Sequence, residues 1–174
     1  MYLSKLTISS PGKVIRDIGF HKGLNLIVDE TPENTTGTGN NVGKTTVLRL
    51  IDYCLGGDVD GIYRNPEDKH ESYALVKDFL TSNNVIVTLI LKDNLDTPSK
   101  KVVIERDFKT GRSSLIRING KDVTRKDFVA ELESAIFPEV KTETPSFRQI
   151  IAHNIRIDNL RLENTLKTLT MGKN

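Results

Sequence analysis

The chain has 174 residues with 25 Lys+Arg against 23 Asp+Glu, a formal net charge of +2, one cysteine, no tryptophan and 37% hydrophobic residues. These values fit one medium domain with a single core, and they exclude a uniformly basic nucleic-acid coat and an internal disulfide. No apolar run approaches the roughly 18 residues of a membrane span, and Met1 to Ser10 lacks the basic flank of a secretory signal, so a cytoplasmic protein with no membrane partner is expected.

In chain order, Tyr2 to Ser9 alternates apolar and polar positions and predicts a strand, Val14 to Ile18 a shorter one, and the compact run Gly23 to Val28 a third, buried one. The segment DETPENTTGTGNNV from Asp29 to Val42 carries almost no apolar side chain and reads as a mobile loop. Lys44 to Leu55 then places Val47, Leu48, Leu50, Ile51, Cys54 and Leu55 at helical spacing, with Gly56-Gly57 as its stop. Asp58 to Lys69 reads as a surface connection. Val85 to Leu91, Lys101 to Phe108 and Ser114 to Asn119 predict an antiparallel meander, and Asn119-Gly120 a tight turn. Thr124 and Asp127 form a capping-box pattern ahead of a helix bearing Phe128, Leu132, Ala135 and Ile136, stopped by Pro138. A last helix follows Pro145, and Ile155, Leu162, Leu166 and Leu169 fit a short heptad pattern in a helical tail, residues 158–174, that could begin a coiled coil.

The most informative feature is Asn40-Asn41-Val42-Gly43-Lys44-Thr45-Thr46, set between the third predicted strand and the helix. Gly43 lets the backbone approach phosphate oxygens, and the amides and dipole of the helix N-terminus favour the anion. In such a loop Lys44 reaches the β and γ phosphates, Thr45 offers its hydroxyl to Mg²⁺ and Thr46 lies near the α phosphate. The motif G-x-x-x-x-G-K-[ST] wants glycine where this chain has Thr38, with Gly37 and Gly39 on either side, so the loop is shifted or distorted. The competing reading is a Gly-Lys-Thr that merely opens a helix. His21, His70 and His153 are too dispersed for a metal cluster, and Cys54 falls on the buried helix face as core.

Hydrolysis needs more than a cradle, since an acidic residue on a neighbouring strand must hold the magnesium shell. Asp29-Glu30 ends the strand that feeds the loop itself. Asp93 ends a meander strand, interrupted by Lys92, and would serve only in a compact stand-alone P-loop NTPase or kinase. A third reading is a non-enzymatic module with a degenerate loop.

The segments LSKLTISSPGKVIRDIGFHKGLNLIVDE, NNVGKTTVLRLIDYCLGGD, VIVTLILKD, KKVVIERDF and SLIRINGKDVTRKDF resemble, in this order, the N-terminal half of SMC, RecN and RecF-type ABC ATPase heads. The resemblance covers about residues 1–157. It implies an α/β P-loop NTPase fold of ABC type, an N-terminal lobe with an antiparallel β-meander beside the P-loop strand and helix. It also implies ATP and Mg²⁺ as cofactors and a role in DNA maintenance, repair or defence against foreign DNA. The partners it implies are a C-terminal lobe carrying the signature loop and catalytic glutamate, and a second head, with DNA as a possible partner of the assembled head. No such signature loop stands in this sequence, so the chain reads as half an enzyme and its length as a truncation. Gln149 is the candidate for the glutamine that touches Mg²⁺, against an ordinary helix-face glutamine. Lys13, Val14 and Arg16 match where relatives pack against adenine, ribose or phosphate, against ordinary solvated residues. Arg106, Arg112, Arg117, Lys121, Arg125 and Lys126 make the middle locally basic, but Glu105, Asp107, Asp122 and Asp127 intersperse them, which favours a mixed solvated face over a DNA surface.

Overall fold

The computed structural model describes residues 1–28, 43–64, 72–139, 144–155 and 157, without the side chains of Lys44 and Arg112. Six strands form one antiparallel sheet in the order β2-β1-β3-β4-β5-β6. They are β1 (Tyr2–Ser10), β2 (Lys13–Gly19), β3 (Ile86–Lys92), β4 (Lys101–Asp107), β5 (Ile116–Ile118) and β6 (Lys121–Asp122). Alternation in these segments makes one face apolar. The register sets Leu6 beside Leu89, Leu89 beside Ile104 and Ile104 beside Ile118, and all four are buried. Tight reversal from β5 to β6 uses Asn119 and Gly120, both at positive φ (53° and 78°), as a two-residue hairpin requires.

Helices α1 (Lys44–Cys54) and α4 (Phe128–Ile136) pack on the sheet, α1 against β3 and β4 and α4 against β5. The buried positions of α1 are Leu50, Ile51, Asp52, Tyr53 and Cys54, five in a row, so the C-terminal half of the helix is enclosed while Leu48 of its predicted face is 38% exposed; those of α4 are Phe128 and Leu132, on its predicted face. Thr124 and Asp127 meet just ahead of α4 but form only half of the expected box: the Thr124 hydroxyl accepts the Asp127 amide at 3.2 Å and donates to Asp127 Oδ2 at 2.6 Å, and the helix itself is capped by Asp127 without a side-chain bond. Full burial pushes the Cys54 thiol up to about 12, which leaves it a core side chain rather than a nucleophile.

Two expectations need correction. Residues 24–28 form no strand: Leu24, Leu26, Ile27 and Val28 are 76%, 71%, 42% and 63% exposed. An apolar run becomes a buried strand only when flanking strands accept its hydrogen bonds, and the six-stranded sheet ends at β2 and β6 without reaching it. The stretch after Gly57 is not purely surface, because α2 (Asp60–Tyr63) buries Ile62 and Tyr63. A helix unforeseen in the sequence, α3 (Ala74–Ser82), follows it. The heptad tail lies outside the described residues except for Ile155.

The end of α1 is a crowded joint. Gly56 turns the chain at φ 91°, and the Gly57 amide donates to Asp52 O at 2.8 Å. A Cβ on Gly57 would stand 2.6 Å from Asp52 Oδ2 and 2.8 Å from Asp52 O. Neither oxygen can retreat freely, since Asp52 Oδ1 accepts from Arg148 at 2.9 Å and Asp52 O receives the Leu55 and Gly57 amides. Gly57→Ala should therefore lower the unfolding free energy by about 2 kcal/mol in urea titration. An unchanged midpoint would mean the joint is looser than its contacts imply.

Candidate functional site

The candidate site is built on the N-terminus of α1. Gly43 is its N-cap in a left-handed conformation, φ 75° and ψ 18°, which favours glycine. Having no side chain, Gly43 offers no cap to the first-turn amides, and its carbonyl accepts the Val47 amide at 3.2 Å. A helix start with a positive dipole end and no capping side chain is suited to an external anion. The Thr45 and Thr46 side chains are exposed at this turn. Asn40, Asn41 and Val42, together with Thr38, lie outside the described residues, and of Lys44 only the backbone is described, as the first residue of α1.

A cavity of about 590 Å³ opens at this helix start, lined by Gly43, Thr45, Thr46 and Arg49 of the loop and helix and by Ile15 of β2. Ile15 reaches it through a β-bulge, since Ile8 pairs with Arg16 and Ser9 with Val14, leaving Ile15 as the extra residue. Lys13 and Arg16 flank it on the same strand, exposed, and are not among the lining residues. The first-turn amides, which receive no side-chain cap from Gly43, the exposed Thr45 and Thr46 side chains and the adjoining cavity fit a nucleotide with its magnesium ion: the amides and Lys44 would hold the phosphates, and Thr45 the metal.

Gln149 stands elsewhere. It is the third residue of α5 (Phe147–Asn154), where its Oε1 accepts the Ser146 amide at 2.7 Å and its amide donates to Ser146 Oγ at 3.4 Å, a complete capping box. The neighbouring Arg148 ties α5 to the far end of α1, donating to Leu55 O at 2.8 Å and to Asp52 Oδ1 at 2.9 Å. Thr45 and Asp52 are seven residues apart on one helix, about 10 Å along its axis. Gln149 is thus placed beside the C-terminal joint of α1 and is not brought to the cavity.

Asp93 is also engaged. Its carboxylate accepts the Asn94 amide at 2.9 Å, the Ser99 amide at 3.1 Å, the Lys100 amide at 2.9 Å and the Ser99 hydroxyl, closing the 93–100 loop. The Ser99 hydroxyl first, and then the backbone amides, hold its pKa down at about 2. A depressed carboxylate stabilises the loop at pH above its unfolded value of 3.8, and the contribution disappears as pH falls through about 2. In an NMR titration the Ser99 and Lys100 amide resonances should therefore move with a midpoint near 2, and a midpoint near 3.8 would show that the loop does not hold the carboxylate.

Of the basic residues, Arg117 is paired with Asp122 at 2.7 Å on the exposed hairpin, as a mixed face would have it. Arg106 is not part of any surface. It is 5% exposed, with its guanidinium 3.7 Å from the centre of the Tyr53 ring and 4.8 Å from that of Phe128. It donates to Tyr53 O and, at 3.2 Å, to Gly57 O, so it clamps the C-terminal end of α1. Strand alternation signalled this, because Arg106 shares the parity of Val102 and Ile104. Among the described residues no group of His, Cys, Asp and Glu could hold a metal ion, and no helix is long and apolar enough to cross a membrane.

No protein-family model matches the sequence. The chain is 27% identical over 108 residues, 62% of its length, to the DNA repair protein RecN of Bacillus subtilis (strain 168). It spans only 17% of that relative. A solved structure from work on ATP-driven dimerization and DNA-stimulated activation of SMC ATPases covers 97% of this chain and 99% of its own, with TM-score 0.47 and 18% identity. Over that part of its length the chain is similar to a RecN protein, in keeping with the resemblance its motifs carry.

Proposed function

We propose that this RecN-like chain is the ATP-binding N-terminal lobe of an SMC/RecN-type ATPase that acts in DNA maintenance or repair. The observation that carries the reading is the uncapped start of α1, with left-handed Gly43 and exposed Thr45 and Thr46, opening onto a cavity of about 590 Å³. Lys44 and the first-turn amides bind the triphosphate, and Thr45 binds Mg²⁺. ATP supplies a phosphoanhydride for hydrolysis, and this chain's part is to bind and orient it. Lys13 and Arg16, exposed on either side of Ile15, would flank the bound nucleotide from the strand whose Ile15 lines the cavity. Gln149, bonded to Ser146 beside the far end of α1, takes no part in the proposed metal site.

Hydrolysis then requires a second lobe and a second head. The exposed apolar run at residues 24–28 supports a missing structural neighbour, since four large apolar side chains in water are costly. DNA binding belongs to the assembled head, because this chain's charge is nearly balanced at +2. The test is steady-state phosphate release by the purified chain with ATP and Mg²⁺. No turnover above background is expected. Steady turnover that Asp93→Ala abolishes would overturn the reading in favour of a self-contained NTPase.

A further inference from the structure

We infer that Asn119, in the turn between β5 and β6, is a site of spontaneous deamidation whose chemistry is locked while the hairpin is closed and released when it opens. Asn119-Gly120 is the only Asn-Gly pair in the 174 residues. In such a pair the Gly120 nitrogen can attack the Asn119 carboxamide carbon, because glycine has no side chain to hinder the approach. A nitrogen–carbon bond forms and closes a five-membered imide, the Gly120 nitrogen gives up its proton, and the carboxamide nitrogen leaves as ammonia. Water then opens the ring, giving aspartate or isoaspartate according to which carbonyl it attacks. No reactant other than water is needed.

Two features hold the folded chain short of this reaction. The first is the backbone. Asn119 is left-handed, with φ 53°, a conformation that brings a residue's Cβ close to the carbonyl oxygen that follows it. The next amide nitrogen lies on the other side of that carbonyl carbon, so the Gly120 nitrogen points away from the Asn119 side chain. Ring closure needs the two on the same side, and the backbone rotation that brings them there ends the hairpin. The second feature is the side chain. Ile104 pairs with Ile118, and the same register carried one residue on sets Asn119 opposite Val103. The Asn119 amide donates to Val103 O at 2.8 Å, as in a strand, and Asn119 Oδ1 accepts the Val103 amide, also at 2.8 Å. The carboxamide thus stands in for a main-chain carbonyl, and it must leave β4 before its carbon can meet the Gly120 nitrogen.

The reaction is also one-way for the fold. Isoaspartate carries the main chain through its side chain and lengthens it by a carbon. That disturbs the register that sets Lys121 against Ile118 and Asp122 against Arg117, and it displaces Val123, whose amide donates to Ile116 O at 2.9 Å just ahead of α4.

The experiment incubates the full chain at neutral pH in buffer and in concentrated urea. Deamidation at Asn119 is followed by peptide mass spectrometry, with the aspartate and isoaspartate products separated by chromatography. Wild type is compared with Asp122→Ala, which removes the 2.7 Å Arg117–Asp122 pair across the hairpin and leaves Asn119, Gly120 and Val103 intact. That pair is exposed, so the variant retains the fold, as circular dichroism will verify. The inference predicts reaction about tenfold or more slower in buffer than in urea, because only the open fraction reacts. Asp122→Ala should react about twofold faster than wild type in buffer and at the wild-type rate in urea. Equal rates in buffer and urea would overturn the lock, and so would a faster reaction in buffer, which would make the Val103 amide an aid to the attack. An Asp122→Ala rate unchanged in buffer would equally overturn it, since hairpin opening would then not be the gate.

Discussion

Replacing Arg106 by alanine is expected to lower the unfolding free energy by about 3 kcal/mol, the largest stability loss foreseen for a single side chain here. The side chain is buried between the Tyr53 and Phe128 rings, and its guanidinium donates to Tyr53 O and Gly57 O. Truncation would leave a cavity in the core, delete a desolvated cation–π contact of about 2 kcal/mol and strip Gly57 O of a charged donor worth about 1.5–3 kcal/mol. Tyr53 O suffers less, because the Gly56 amide also reaches it at 3.2 Å. Opposing these losses is relief of a buried charge: burial lowers the arginine's pKa, and Nε is buried without a hydrogen-bond partner. Relief of that kind keeps the net effect near 3 kcal/mol rather than at the sum of the separate contributions. Arg106→Met, which keeps the apolar stem, should cost less, and the difference separates packing from hydrogen bonding. Urea unfolding followed by circular dichroism measures both, and an alanine variant within 1 kcal/mol of wild type would contradict the clamp.

The second large effect is on binding. Lys44→Ala is expected to weaken ATP affinity by about a hundredfold or more while leaving the unfolding midpoint within error. A lysine ammonium at a phosphate makes charge-assisted contacts about twice as strong as neutral ones, at the site where the phosphate charge is greatest. Stability should not follow, because Lys44 begins α1 at its solvent-facing end, where the neighbours Thr45 and Thr46 are exposed. Equilibrium dialysis with radiolabelled ATP reads the affinity, and an unaltered affinity would show that the helix start is not the phosphate site.

Much of this architecture is legible in the sequence because its signals are local. Period-two alternation in β1, β3 and β4, the Asn119-Gly120 turn, half of the Thr124 box and the Gly56 stop each act over a few residues, and the structure follows them. Failures occur where the outcome depends on what lies beside an element. The run at residues 24–28 has the composition of a buried strand, but no described strand accepts its hydrogen bonds. Helix α3 has a weak sequence signal because most of its apolar side chains stay exposed, Leu75 at 87% and Phe79 at 51%, and only Leu80 packs on the core. Arg106 has the residue type of a surface charge, and only its strand parity with Val102 and Ile104 signals its burial.

At the site, Gly43, Thr45 and Thr46 are recognisable from one motif and stand together at the cavity. Gln149 and Asp93 have side chains suited to a magnesium site, but each is engaged by near neighbours in the chain, and the Ser146-x-x-Gln149 spacing itself signals a capping box. Gln149 caps α5, and Asp93 closes a loop.

Calorimetric titration of the wild-type chain with a non-hydrolysable ATP analogue in the presence of Mg²⁺ tests the central claim most directly. A nucleotide-binding lobe predicts saturable heat with one site per chain, lost in Lys44→Ala. No heat from the wild-type protein would contradict it and make the Gly43-Lys44-Thr45 turn an ordinary helix start.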